Sequence, residues 1–264
     1  VLLWLGMMTW LLTQKVLPAL RIGDPPSYRT IVAQEHPKPV GWRLMMNGRQ
    51  LGWAWSTIRK SSNLTTDVRS RVHFDNVPID RLIPSWLRGI VSTGSQPLGK
   101  LQLEVESKML LDPLGRLVDF DSALRSTAEG PSLVRLQGSV EGTKLKLSVH
   151  SGTFQYDPEI SLRPNDLLGD NLAPQMRLPG LRQGQTWTVP SYSPLSPLNQ
   201  PIEILQAKVE ELTTIRWNNS EQSAWLVVYR SDMVGESGND KDIRSRLWVK
   251  PDGAVLRQQV QLFD

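Results

Sequence analysis

The chain of 264 residues contains no cysteine. That absence excludes disulfides, thiolate catalysis, cysteine-based metal sites and a lipid attached to an N-terminal cysteine. It leaves the redox compartment open, because a large β domain is stable without cross-links. Charge of one sign is lacking too. The 30 basic residues against 26 acidic ones give +4, and the basic residues are scattered along the chain. A nucleic-acid binder carries a concentrated basic stripe, so no nucleic-acid partner is expected.

The usual signatures of chemistry are missing as well. Three histidines (His36, His73, His150) lie far apart in sequence, without His-x-x-x-His or His-Glu-x-x-His spacing. No metal or other cofactor is expected. "NDLLGDN" (165–171) has calcium-type oxygens but neither the alternation nor the terminal Glu of a calcium loop, and reads as a surface turn. "STGSQPLGK" (92–100) is followed by a strand rather than a helix, so it reads as a linker and not a phosphate loop. Gly-x-Ser-x-Gly is absent, and nothing supports His150, beside Ser151, as a general base. Glu104, Glu106, Asp119 and Asp121 fall on the outer face of one hairpin, where solubility is the simpler role. No catalytic constellation emerges, and the chain is expected not to be an enzyme.

One long apolar run is present. "VLLWLGMMTWLLTQKVLPAL" (1–20) matches in part the hydrophobic region of a signal peptide and in full length a spanning helix. A small-x-small cleavage site is missing around "LPALRIG", which favours an uncleaved membrane anchor. The chain starts at Val rather than Met, and basic residues upstream would turn the bulk of the protein away from the cytoplasm. The expected location is the periplasmic side of an inner membrane, with the membrane a partner through the N-terminal helix. Residues 21–40 carry four prolines and read as an extended tether.

Past residue 40 the hydrophobic period is two, which predicts strands. In "GWRLMMNGRQLGWAWSTI" (41–58) the Asn47-Gly48 pair predicts a two-residue type I′ turn. That register sets Trp42 opposite Trp53 and Leu44 opposite Leu51. It gathers Trp42, Leu44, Met46, Leu51, Trp53 and Trp55 on one face with Val40, the candidate ligand-binding surface. The opposite face holds Gly41, Gly52 and Ala54. Such loss of bulk marks a bend or a close approach.

Further hairpins follow. One turns at Asp112-Pro113-Leu114-Gly115, with Leu101, Leu103, Val105, Met109, Val118, Phe120 and Leu124 on one face and Lys108 opposite Asp119. Another turns at Glu141-Gly142, with Val134, Leu136, Val140, Leu145, Leu147 and Val149 together. Residues 65–74, 223–230 and 243–263 read as strands, the last bent at Pro251-Asp252-Gly253; 202–212 fits a strand or a helix, and its strand neighbours favour the strand. Short helices are expected only at 77–90 and 164–172. Residues 155–201 hold eight of the 19 prolines yet keep many leucines, so they should pack as a cover.

"WRLMMNGRQLGWAW", "LPGLRQGQTWTVP" and "RLWVKPDGAVLRQQV" together resemble exported bacterial proteins of unknown function, similar in outline to the half-barrel of LolA/LolB-type lipoprotein carriers. The resemblance spans roughly residues 40–264. It implies a strongly curved antiparallel sheet with an apolar concave side, which in the carriers takes lipid chains. The fold expected is therefore mainly β: a long antiparallel meander forming a curved sheet or half-barrel (41–264), an N-terminal membrane helix, and one or two short helices. Two roles fit: a membrane-tethered module binding a lipid-like or other apolar ligand, or an accessory component of a cell-envelope assembly with a filled core and a protein partner.

Overall fold

The computed structural model describes residues 2–11, 13, 24–33, 38–61, 63–77, 101–126, 130–162, 166–175, 177–231 and 242–261. The fold is mainly β with a strongly curved, half-barrel sheet, as expected. The strands form two sheets rather than one meander. The first runs β1 (Val40–Met46), β2 (Arg49–Lys60), β3 (Thr66–Val77), β4 (Leu101–Leu111), β5 (Leu117–Arg125), β6 (Ser132–Glu141), β7 (Lys144–Ser151), β8 (Phe154–Tyr156), with β9 (Glu159–Ser161) also on β7. The second runs β10 (Gly169–Asp170), β11 (Thr186–Tyr192), β12 (Ile202–Trp217), β13 (Ser220–Ser231), β14 (Ile243–Val249), β15 (Val255–Val260). Every sequential pairing is antiparallel except β10 with β11. The residues read as a cover thus supply the first strands of a second sheet, and a sheet with one apolar face needs such a partner.

Both sheets bury their inner faces in one core. The faces of β6 and β7 are as the alternation requires: Val134, Leu136, Leu145, Leu147 and Val149 are buried, while Arg135, Gln137, Lys144 and Lys146 are exposed. The two-residue loop there is Gly142-Thr143, since Glu141 pairs with Lys144. The core is keyed at one point by Phe120, which stacks on Tyr192 of the second sheet with ring centroids 4.8 Å apart. Gly138 makes room for that ring, because a Cβ there would stand 2.2 Å from it.

Bulges account for the departures from strict alternation. A bulge shifts the β1–β2 register between Leu44 and Met45, so Trp42 pairs with Ala54, and Trp53 with Arg43. Trp53 and Trp55 therefore turn to the outer face, and the expected Trp42–Trp53 pair does not form. Gly52 sits at the bulge, where a Cβ would meet the His73 carbonyl oxygen at 1.9 Å. In the next hairpin the loop is one residue longer than the turn predicts, since Leu111 pairs with Leu117, and a second bulge separates Leu110 from Leu111; together they place Lys108 opposite Asp121 instead of Asp119, and Val118 is exposed. Asp112 holds that turn: its carboxylate accepts from the Leu114 and Arg116 amides, both at 2.9 Å, and pairs with the Arg116 guanidinium at 2.6 Å.

α1 (Leu2–Leu11) is apolar on every side. Among the described residues no helix is long and apolar enough to cross a membrane. Residues 24–33 do not run as an extended tether. They form α2 (Tyr28–Val32), closed by a Ser27/Thr30 capping box, with Tyr28, Ile31 and Val32 buried. Between 166 and 172 there is no helical turn but the short β10. The other expected helix, 77–90, lies outside the described residues apart from Val77 at the end of β3.

Gly138→Ala should lower stability by about 1–3 kcal/mol, the usual cost of overpacking a core. The check is the urea midpoint, which should fall with an unchanged slope. Gly41→Ala, built into open space, should shift it by no more than about 0.5 kcal/mol.

Candidate functional site

The six residues singled out as a binding face are divided by the β1–β2 bulge. Trp42, Leu44, Met46 and Leu51 stay together and pack, half-buried, against the core. Trp53 and Trp55 stand on the other side of the sheet. There Trp53 stacks on His73 with centroids 5.2 Å apart. The result is an apolar strip at the β1 edge, with the Trp42 indole N–H buried and without a hydrogen-bond partner.

Trp53 and His73 border a charged group that the alternation pattern does not reveal. Glu104 was expected on a solvated face but is only 5% exposed. Its carboxylate meets Arg71 at 2.6 Å and the His73 Nδ1 at 3.8 Å. The carboxylate holds the Arg71 guanidinium further above its ordinary range. His73 Nε2 lies 3.1 Å from Asp75. These groups stand on neighbouring strands through the Trp53–His73–Glu104–Arg125 register row. Further along the same face a trough of about 740 Å³ opens over β3–β7. A row across its floor reads Arg69, Lys108, Asp121, Gln137, Ser148. Its charges are largely paired internally, Arg135 on Asp121 at 2.6 Å and Arg125 on Glu106 at 3.1 Å. His150 contacts the Ser148 hydroxyl at 2.8 Å, but Ser148 donates to Asp157 at 2.6 Å. The carboxylate is on the serine rather than behind the imidazole, so the trio lacks the order of a nucleophile, base and orienter.

The other polar concentration is buried. Inward positions on four adjacent strands are serines, and the registers align them: Ser56 with Ser70, Ser70 with Ser107, Ser107 with Ser122. All four are buried. Ser107 Oγ lies 2.9 Å from Ser122 Oγ and donates across the sheets to Asp170 at 2.9 Å. Asp170 Oδ2 also accepts from the Tyr192 hydroxyl at 2.9 Å, and Oδ1 accepts the Leu172 and Ala173 amides, both at 3.0 Å. Burial pushes the Asp170 carboxyl up, and these donors pull it part of the way back. Tyr28 of α2 closes the same region, donating to the Leu168 carbonyl at 2.8 Å. A cavity of about 110 Å³ lies between the sheets here. Alternation hides this row because serine reads as neutral between apolar neighbours; the available signal was the recurrence of serine at inward positions of consecutive strands.

Among the described residues, no group of three or more His, Asp or Glu could hold a metal ion. No family model matches the chain. No curated protein matches it either. Among solved structures it is similar to a β-barrel-like protein of the domain of unknown function DUF1849 from Brucella abortus, with 11% identity over 80% of this chain and 82% of that one, TM-score 0.43. It is also similar to a DUF1089 family protein from Pseudomonas aeruginosa, with 12% identity over 84% of this chain and 94% of that one, TM-score 0.37.

Asp170→Asn should keep the fold, since an amide can serve the same donors and hydroxyls. A carboxyl whose folded pKa is raised stabilises the fold below its unfolded pKa, and that contribution disappears as pH rises through the folded value. The native protein should therefore gain thermal stability relative to Asp170→Asn as pH falls from 7 towards about 4. Paired melting curves across that range check the sign.

Proposed function

We propose that this chain is a membrane-held, extracytoplasmic binding module that takes a lipid-like or other apolar ligand on the β1–β2 strip and does no chemistry on it. One observation carries the reading. The inward residues of β1 (Val40, Trp42, Leu44, Met46) stay half-covered, whereas those of β7 are closed, Leu145 at 0% and Leu147 at 3% exposure. An indole, a thioether and aliphatic chains left partly wet at one edge form apolar surface that a partner molecule would cover. The resemblance to the lipoprotein carriers agrees with such a surface.

Membrane attachment is supported by α1. Its large apolar side chains from Leu3 to Leu11 are exposed, Leu3 at 80% and Trp4 at 62% among them. Ten residues reach about 15 Å, half the hydrocarbon core of a bilayer. A helix apolar on all sides has no stable place in water by itself. The location on the periplasmic side of an inner membrane belongs to the same proposal.

The second reading, an accessory component of an envelope assembly with a filled core, is favoured by the size of the inter-sheet cavity. At about 110 Å³ it is well below the ~300 Å³ where small-molecule pockets begin. The two readings separate on purification. Extraction of the full chain from mild detergent should release a stoichiometric amphiphile, seen by mass spectrometry, and Leu44→Glu should cut it by about tenfold or more. A chain free of amphiphile but bound to a stoichiometric protein would establish the second reading. Replacing Leu3 and Trp4 by Glu should abolish flotation with lipid vesicles; flotation that persists would remove α1 from the anchor.

A further inference from the structure

We infer that the serine-lined cavity between the two sheets is a binding site for a small organic monocation, a short alkylammonium. It is separate from the apolar strip and uses none of its residues. Three observations converge on it. The Ser56 side chain is 2% exposed, lines the cavity, and its Oγ has no hydrogen-bond partner. A buried hydroxyl left unpaired is costly, so natural proteins pair it with protein, water or ligand. Ser70 and Ser107 continue the same row into the wall, and Ser191 and Ser245 face it from the second sheet. A wall of hydroxyls offers acceptors from several directions, as a group with three N–H donors requires.

Charge selects among polar ligands. Among the described residues, Asp170 is the only acidic one in the cavity wall, and no Lys, Arg or His lines it. The carboxylate is supplied with hydrogen-bond donors but with no counter-charge in that wall. A cation compensates it, whereas an anion would face it across a low dielectric. Volume sets the size. About 110 Å³ holds three or four waters at ~30 Å³ each, and hence a ligand of about four non-hydrogen atoms. Neutral amides (Asn171, Gln175, Gln258) complete the polar part of the wall, and its apolar part, with Ile58, Met109, Val189 and Leu205, suits a short alkyl tail behind the ammonium group.

The experiment is calorimetric titration of the full chain with n-propylammonium, n-propanol and propionate at equal ionic strength. Expected results are saturable, millimolar binding of propylammonium, about tenfold weaker binding of propanol, and none of propionate; four heavy atoms limit the affinity. Ser56→Val fills the cavity with a methyl group and removes the unpaired hydroxyl, so it should abolish binding while keeping or raising the melting temperature. Asp170→Asn should reduce propylammonium to the level of propanol. Equal binding of the ammonium and the alcohol, or propylammonium binding that survives Ser56→Val, would overturn the assignment. So would no binding of any probe, together with a crystal structure holding ordered water alone in the cavity.

Discussion

A buried carboxylate joins the two halves of this protein. Asp170 lies at the start of the second sheet and takes its donors from Ser107 on the first sheet, from Tyr192 on the second, and from two amides of its own loop. Beside it Phe120 stacks on Tyr192. Apolar packing alone would let two curved sheets slide, because dispersion contacts are non-directional. A hydrogen-bonded carboxylate at the seam has one geometry in which all its donors are met. Tyr28, Ser107 and Asp170 line one cavity at this seam.

Much of the β architecture was readable from residues. The Asn47-Gly48 turn, the alternation of β3, β6 and β7, and the closing hairpin at Pro251-Asp252-Gly253 each join turn chemistry to a period of two. What escaped reading has one physical origin in several places: a bulge adds a residue that the alternation of polar and apolar cannot register. In β1–β2 that extra residue carried Trp53 and Trp55 to the outer face; in β4–β5 it acted together with a loop one residue longer than the turn predicts to move Lys108 from Asp119 to Asp121. Partner choice between sheets was hidden for another reason. Serines 56, 70, 107 and 122 are far apart in sequence, and only the registers align them. Glu104 read as a surface carboxylate because its cover comes from Arg71 and His73 on the adjacent strand.

The two faces of the first sheet divide the labour. The outer face is a mosaic of paired charges, each worth little alone in water, with Arg135, Asp121 and Gln137 locked together across β5 and β6. Among the described residues the inner face is mostly buried from β4 to β7, with Val140 half-covered at its end, and is loosest along β1. Coverage by the second sheet therefore decides where apolar surface remains available. The strip around Trp42 is a consequence of where that coverage ends.

α2 has a mechanical meaning. Its Tyr28 is hydrogen-bonded to Leu168, Arg29 lies against Gly115 so closely that a Cβ there would stand 2.8 Å from the Arg29 Cα, and Gln185 donates to the Asp24 carbonyl. A chain pulled from its N-terminal side meets this clasp before it meets β1. The load then enters as shear on a buried ring rather than as peeling of an edge strand, one hydrogen bond at a time. A domain leashed to a moving surface would keep its exposed edge intact under tension that would otherwise unzip it.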